Sequence, residues 1–246
     1  MDARSGLVTL AGVPRFRDRL VATLRAVAPI LEVEGVLVVG SEVPNLREKG
    51  AASTLVVSQD VDIGVPILAH EQVKRRLDHL EGLTPSSEEP SVWVPTDPDL
   101  LEVNFVGFDP GATNLDDTRI LEDARLPLMV FGPLSLLRPG EKVDVEGVPV
   151  PLPRTAGLIL EKLVTDRTGT KGDRDLLVVL GMLVVATEED RRELASAYAA
   201  FDPEHRHVVR GNLAVLSLLG TVPGMPDPVP HRALLAALLG ELERMP

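Results

Sequence analysis

An α+β fold is what the sequence predicts, and three observations predict it. Apolar residues recur at helical spacing near the N-terminus, at strand spacing through the middle, and at helical spacing again beyond Pro153. The expected architecture is a mixed β-sheet domain with flanking helices over residues 1–153, followed by a helical bundle domain over residues 154–246.

The elements follow in order. Phe16, Leu20, Leu24, Val27 and Leu31 step by three or four and mark one face of a helix. Val36-Leu37-Val38-Val39 is an apolar, β-branched run between Gly35 and Gly40, the pattern of a buried strand ending at Gly40-Ser41. A tight turn there would place Ser41 as the N-cap of a short helix from Glu42 to Lys49. Ser53 to Val65 reads as a longer strand, in which Asp60, Asp62 and Gly64 alternate with Val61, Ile63 and Val65, so both carboxylates share a face. His70 to Leu80 is helical by spacing, and Thr84 to Pro90 is a polar loop. Ser91–Pro95 and Leu100–Val106 flank Thr96-Asp97-Pro98-Asp99 as a hairpin, with Glu102 and Asn104 on one face of its second strand. Lys142–Val145 and Val148–Val150 form a second hairpin about Glu146-Gly147. Helices are then expected over 158–167, 173–186, 188–201, 203–219 and 231–244, with a four-proline connector at 221–230 that cannot be helical.

Composition narrows the chemistry. With 37 acidic and 25 basic side chains the net charge is −12, which disfavours coating of nucleic acid. A long nucleic-acid acceptor would require Lys162, Arg167, Lys171 and Arg174 to gather into one basic wall. The absence of cysteine excludes disulfides, thiolate metal sites and Cys nucleophiles. The longest nearly unbroken apolar run, Leu176 to Ala186, has 11 residues, too few to cross a bilayer. The first residues carry no basic, apolar leader pattern, so a cytoplasmic protein without membrane attachment is expected. His205 and His207, two residues apart on a helix, diverge and are expected at the surface without a metal.

The carboxylates carry the functional signal. Asp60 and Asp62 project in parallel and can share a cation, and Glu102 from a neighbouring strand can complete a two-ion Mg²⁺ site and accept a proton from an attacking hydroxyl. Gly40 permits close approach of a phosphate, to which Ser41 and adjacent amides can donate. Metal-assisted phosphoryl transfer needs such a set.

This order, Gly40-Ser41, then Asp60-Val61-Asp62, then Glu102, resembles the nucleotidyltransferase fold of the DNA polymerase β superfamily. The hairpin at Val143–Pro153, then Leu160-Glu161-Lys162-Leu163 and Lys171-Gly172-Asp173-Arg174-Asp175-Leu176, is similar to the abortive-infection AbiEii-type toxin nucleotidyltransferases. The resemblance spans roughly residues 30 to 185. It implies a nucleotidyltransferase domain and transfer of a nucleotidyl group from an NTP to an acceptor hydroxyl with release of pyrophosphate. The acceptor it implies is an RNA, a protein or a small molecule, with an antitoxin protein as partner. It also implies nucleotide binding by Gly40, Ser41, Lys162 and Asp175, with Lys171 and Asp173 the nearest competitors. The alternative is a non-catalytic binding or assembly module, prompted by the 18 residues between Ser41 and Asp60 and by Glu in the third carboxylate position.

Overall fold

The computed structural model describes residues 13–48, 56–165 and 169–244. It is a mixed α+β structure built on a mixed sheet. Helix α1 (Val13–Ala26) and the short α2 (Ala28–Leu31) bury the predicted stripe, with Leu24, Val27 and Ile30 wholly enclosed. Strand β1 (Leu37–Val39) ends in a 3₁₀ turn at Gly40–Glu42 that leads into α3 (Val43–Arg47). Ser41 therefore sits inside the turn and is not the N-cap of a 42–49 helix; that position falls to Glu42, whose side chain makes no capping bond.

Strand β2 (Asp60–Pro66) is shorter than the predicted Ser53–Val65. Of that expectation, residues 53–55 lie outside the described residues, and 56–59 are irregular. Asn45 holds this approach by accepting from the Val56 amide at 3.0 Å and donating to the Val56 carbonyl at 2.6 Å, which supplies the partners that a strand neighbour would otherwise give. Helix α4 (His70–Arg76) continues as a 3₁₀ turn to His79. The expected polar loop contains a short strand, β3 (Leu83–Pro85), which pairs antiparallel with β4 (Val92–Pro95). The first expected hairpin is present, since β4 pairs antiparallel with β5 (Glu102–Phe108).

Strand β5 is the hub of the sheet. It runs parallel to β2 along its whole length, in a register that sets Asp60 beside Glu102 and Asp62 beside Asn104. Its other edge is divided between β4 and β7 (Leu128–Phe131), which pairs parallel at Gly107. β6 (Thr118–Leu121) lies antiparallel to β7. Neither β6 nor β7 was expected: β6 is largely exposed and β7 is only four residues long, so neither has the amphipathic length that periodicity detects. Strands β8 (Pro139–Val145) and β9 (Val148–Pro153) form a separate two-stranded sheet, turning through Glu146 and Gly147 at φ 51° and 86°.

After Pro153 come α5 (Thr155–Val164), α6 (Gly169–Val185), α7 (Glu188–Ala199), α8 (Pro203–Leu218) and α9 (Arg232–Glu243). α5 is central and packs on α6, α7 and α8. It is buried nearly throughout, including Glu161 and Lys162. α7 opens with a capping box in which Thr187 and Asp190 bond reciprocally, and α8 with an Asp202 cap. Buried residues on both sides of Pro153 belong to one hydrophobic cluster running from Phe16 to Leu242. No helix among the described residues is long and apolar enough to cross a membrane.

Candidate functional site

A cleft of about 760 Å³ opens where the C-terminal end of β1 and the start of β2 and β5 face helices α5 and α6. Gly40, Ser41, Asp60, Asp62, Glu102, Lys162 and Asp175, all singled out from the sequence, line it. Lys171 and Arg174 line it too, whereas Asp173 is not part of its wall and Arg167 lies outside the described residues.

The floor is made by the β1–β2–β5 register. Val39 is opposite Asp62, so the chain leaves β1 directly over that carboxylate. Gly40 makes the departure at φ +80°, and a Cβ placed there would lie 2.2 Å from Asp62 Oδ2. Both facts require glycine: one by backbone conformation, the other because the Asp62 carboxylate occupies the space of a side chain. On the far side, Asn104 Nδ2 donates to Asp60 Oδ2 at 2.9 Å and to Asp62 Oδ1 at 3.3 Å. The Ser58 hydroxyl donates to Asp60 Oδ1. One amide thus draws two carboxylates together.

That crowding has an electrostatic consequence. Burial, then the neighbouring Asp60 charge, pushes the Asp62 carboxyl up to about 6 against the opposing pull of Lys162 and the Asn104 hydrogen bond. Glu102 is raised by burial, Asp60 and Glu89. Behind the floor lies Glu42, fully enclosed, with Oε2 accepting from Asn45 at 3.2 Å and Oε1 without a hydrogen-bond partner. Burial pushes it up to about 8, and Asp60 and Asp62 add to the rise. On the opposite wall Lys162, itself buried, donates to Asp175 Oδ1 at 3.2 Å and stands 3.9 Å from Glu161.

The donor set suits a hard divalent cation at the Asp60–Asp62 pair, where two carboxylates share one face with a buried Asn104 oxygen that has no hydrogen-bond partner. Asp60, Asp62 and Glu102 do not bring one ligand oxygen each to within 4.8 Å of one another, although Glu102 is beside Asp60 in the strand register. Among the described residues the one acidic or histidine group that meets that limit is His70, Glu71 and Asp123, which could hold a metal ion. A cation already occupies part of it: Lys74 Nζ lies 2.6 Å from Glu71 and 2.8 Å from Asp123. The His70 Nε2 is engaged with the Leu126 carbonyl at 2.9 Å.

Sequence reading missed three contributors. Asn104 was placed on the face of Glu102 by alternation, but its clamp on both aspartates depends on the β2–β5 register. Ser58 falls where a strand was expected, and Glu42 where a short helix was. His205 is also less exposed than expected: its Nδ1 bonds Asp202 at 2.7 Å, and it lines a second cavity, whereas His207 is exposed as expected.

No protein-family model matches the chain, and no curated protein matches it.

Proposed function

We propose that the protein is an Mg²⁺-dependent nucleotidyltransferase, which carries a nucleotidyl group from an NTP to an acceptor hydroxyl. The observation that carries this reading is the convergence of Gly40-Ser41, the Asp60–Asp62 pair, Glu102, Lys162 and Asp175 on one cleft from five separate elements. The nucleotidyltransferase resemblance and the charge pattern support it. Asp60 and Asp62 would hold Mg²⁺, with Glu102 toward a second ion; the metal, when bound, supplies Lewis-acid polarisation of phosphate and neutralises developing charge.

Each remaining role belongs to a residue of the chain. Gly40 leaves backbone room for phosphate oxygens beside Ser41, whose hydroxyl donates to them. Lys162 provides a buried positive charge facing the aspartates and is held in place by Asp175. Lys171 and Arg174, exposed at the cleft, attract the polyphosphate. The acceptor oxygen bonds to the α-phosphorus, the α–β phosphoanhydride breaks, and pyrophosphate leaves with the bonding electron pair. Glu102 takes the hydroxyl proton, a role favoured by its raised pKa. Asn104 keeps Asp60 and Asp62 from splaying apart. A toxin-like role with an antitoxin partner is the extension that the AbiEii-type resemblance implies.

The test is transfer from α-labelled NTPs in the presence of Mg²⁺, run on the native chain and on Asp60→Ala and Asp62→Ala. Both variants should fold and lose transfer. Unchanged transfer in both overturns the mechanism, and a melting curve blind to Mg²⁺ and every NTP favours the binding-module alternative.

A further inference from the structure

Asp60 and Asp62 share a face but are held in different ways. Asp62 is paired on both sides, with Val39 on β1 and with Asn104 on β5. Asp60 is the first residue of β2 and pairs only with Glu102, because β1 ends opposite Asp62 and the chain turns away at Gly40. The segment that delivers Asp60, Val56 to Gln59, lies outside the sheet. Val56 is nevertheless fully enclosed and Ser58 is buried. Irregular backbone at that depth needs hydrogen-bond partners from elsewhere in the fold.

Among the described residues those partners come from two directions. From α3, Asn45 clasps both polar backbone groups of Val56. From the far end of the chain, the Gly224 carbonyl accepts from the Val57 amide at 2.9 Å. Ser58 passes the restraint on, its hydroxyl donating to Asp60 Oδ1. Gly224 belongs to the proline-rich connector between α8, which ends at Leu218, and the turn that begins at Val229 ahead of α9. Packed neighbouring helices are joined by about two to eight residues, so this connector is longer than α8 and α9 require. Its extra length is braced. Asp227 Oδ1 accepts from the Thr221 hydroxyl and from the Val229 amide, each at 3.0 Å. Pro226 is buried, and a Cβ placed on Gly181 of α6 would meet Pro226 at 3.3 Å and Pro44 of α3 at 3.2 Å, so connector, α6 and α3 are stacked in contact. Proline fixes φ and makes such a loop stiff. Gly224 itself stands at φ +75°, where a Cβ would lie 3.4 Å from Val57 Cβ.

We propose that the connector at 221–230 is a positioning element for Asp60: Gly224 pins Val57, Asn45 pins Val56, and Ser58 carries their hold to the Asp60 carboxylate. The inference rests on the reading of Asp60 and Asp62 as the metal pair and adds the element that keeps the pair assembled. Two carboxylates drawn together repel each other. The sheet resists their separation at Asp62, which is paired on both sides, and resists it less at Asp60, which is paired on one. The connector supplies the missing restraint from the helical half, although none of its residues lines the cleft. Gly224 and Asn45 are positioning residues, and neither touches the metal.

The test uses the full chain and two readouts, amide hydrogen exchange without metal and calorimetric titration with Mg²⁺ alone. Gly224→Val puts a β-branched side chain at positive φ and against Val57, which displaces the carbonyl from the Val57 amide. Amides 57–60 should then exchange about tenfold or more faster than in the native chain, while amides 62–64, paired on both sides, stay unchanged. Mg²⁺ should bind about tenfold more weakly. Gly224→Asn, which tolerates positive φ, should bind Mg²⁺ within about twofold of the native chain. Pro223→Gly loosens the connector and leaves Gly224 in place; it serves if Gly224→Val does not fold, with an expected loss of about threefold in Mg²⁺ affinity. Unchanged exchange at 57–60, unchanged Mg²⁺ affinity in whichever connector variant folds, or faster exchange spread evenly over the whole chain overturns the inference. A native chain that binds no Mg²⁺ overturns the metal-pair reading, and with it the connector's role; native binding that the connector variants retain in full overturns the connector's role alone.

Discussion

Two groups of acidic side chains on this molecule differ in burial and in the presence of a resident cation between them. At Glu71 and Asp123 the Lys74 ammonium sits within hydrogen-bonding distance of both carboxylates and holds both below the usual carboxylate range. At Asp60 and Asp62 the bridging group is the neutral Asn104 amide, and burial, then the Asp60 charge, drives Asp62 upward. Both are carboxylate pairs joined by one side-chain nitrogen, but the first holds an ammonium and the second a neutral amide. A deficit of positive charge maintained in a cleft, beside a glycine shaped to the carboxylate, points to a ligand of positive charge.

The largest effect should come from removing the deficit. Asp60→Ala or Asp62→Ala should lower Mg²⁺-dependent transfer by about 100-fold or more, whereas Glu71→Ala and Asp123→Ala should change it by less than about twofold. Steady-state transfer with labelled NTP measures both, and equal losses at the two groups would erase the contrast.

Gly40→Ala comes next. The new methyl meets Asp62 Oδ2 and the backbone is held at positive φ, so a destabilisation of about 2 kcal/mol is expected in denaturant unfolding, together with weaker Mg²⁺ binding.

The pH response sharpens the contrast further. Glu42 and Asp62 have folded pKa values above their unfolded ones, so each favours the folded state when protonated. Their contribution is full below about 4, the unfolded carboxylate range, and is lost as pH rises through about 6 for Asp62 and about 8 for Glu42. Melting temperature of the metal-free protein should therefore fall across that window. Glu42→Gln should flatten the upper part of the decline, and Mg²⁺ should restore stability most at the alkaline end. Asp123 and Glu71 carry the opposite sign, and their contribution is lost only as the solution is acidified.

The smallest effect is expected at Lys74→Met. The ion pairs lie near the surface, so melting should move by about 2 °C or less. Removing the ammonium should nevertheless open His70, Glu71 and Asp123 to Zn²⁺, measurable by titration against the native chain, which should bind none there.

Legibility in the sequence followed the reach of local pattern. The terminal helices, both hairpins and the Asp60–Asp62 face were readable because a period of 3.6 or 2 is a property of neighbours in the chain. β6 and β7 were not, because one is exposed and the other short, and their pairing is decided by the edge of β5 that β4 leaves free. Glu42 was unreadable for a different reason. A glutamate after a Gly-Ser turn is ordinarily solvated, and here the packing of α3 on α6 and the Asn45–Val56 clasp enclose it.

By itself the sequence determined the α+β class, the position of the turn at Gly40-Ser41, and the common face of Asp60 and Asp62, since each is set by residues close along the chain. Only the tertiary structure decided that Asn104 bridges the pair, that Glu102 lies beside Asp60, that Lys162 faces them from the helical half, and that a second, acidic cavity adjoins the cleft. These depend on register and packing between segments tens of residues apart. Charge neutralisation, which separates a structural carboxylate from one awaiting a ligand, acts through space and leaves no local trace in the order of residues.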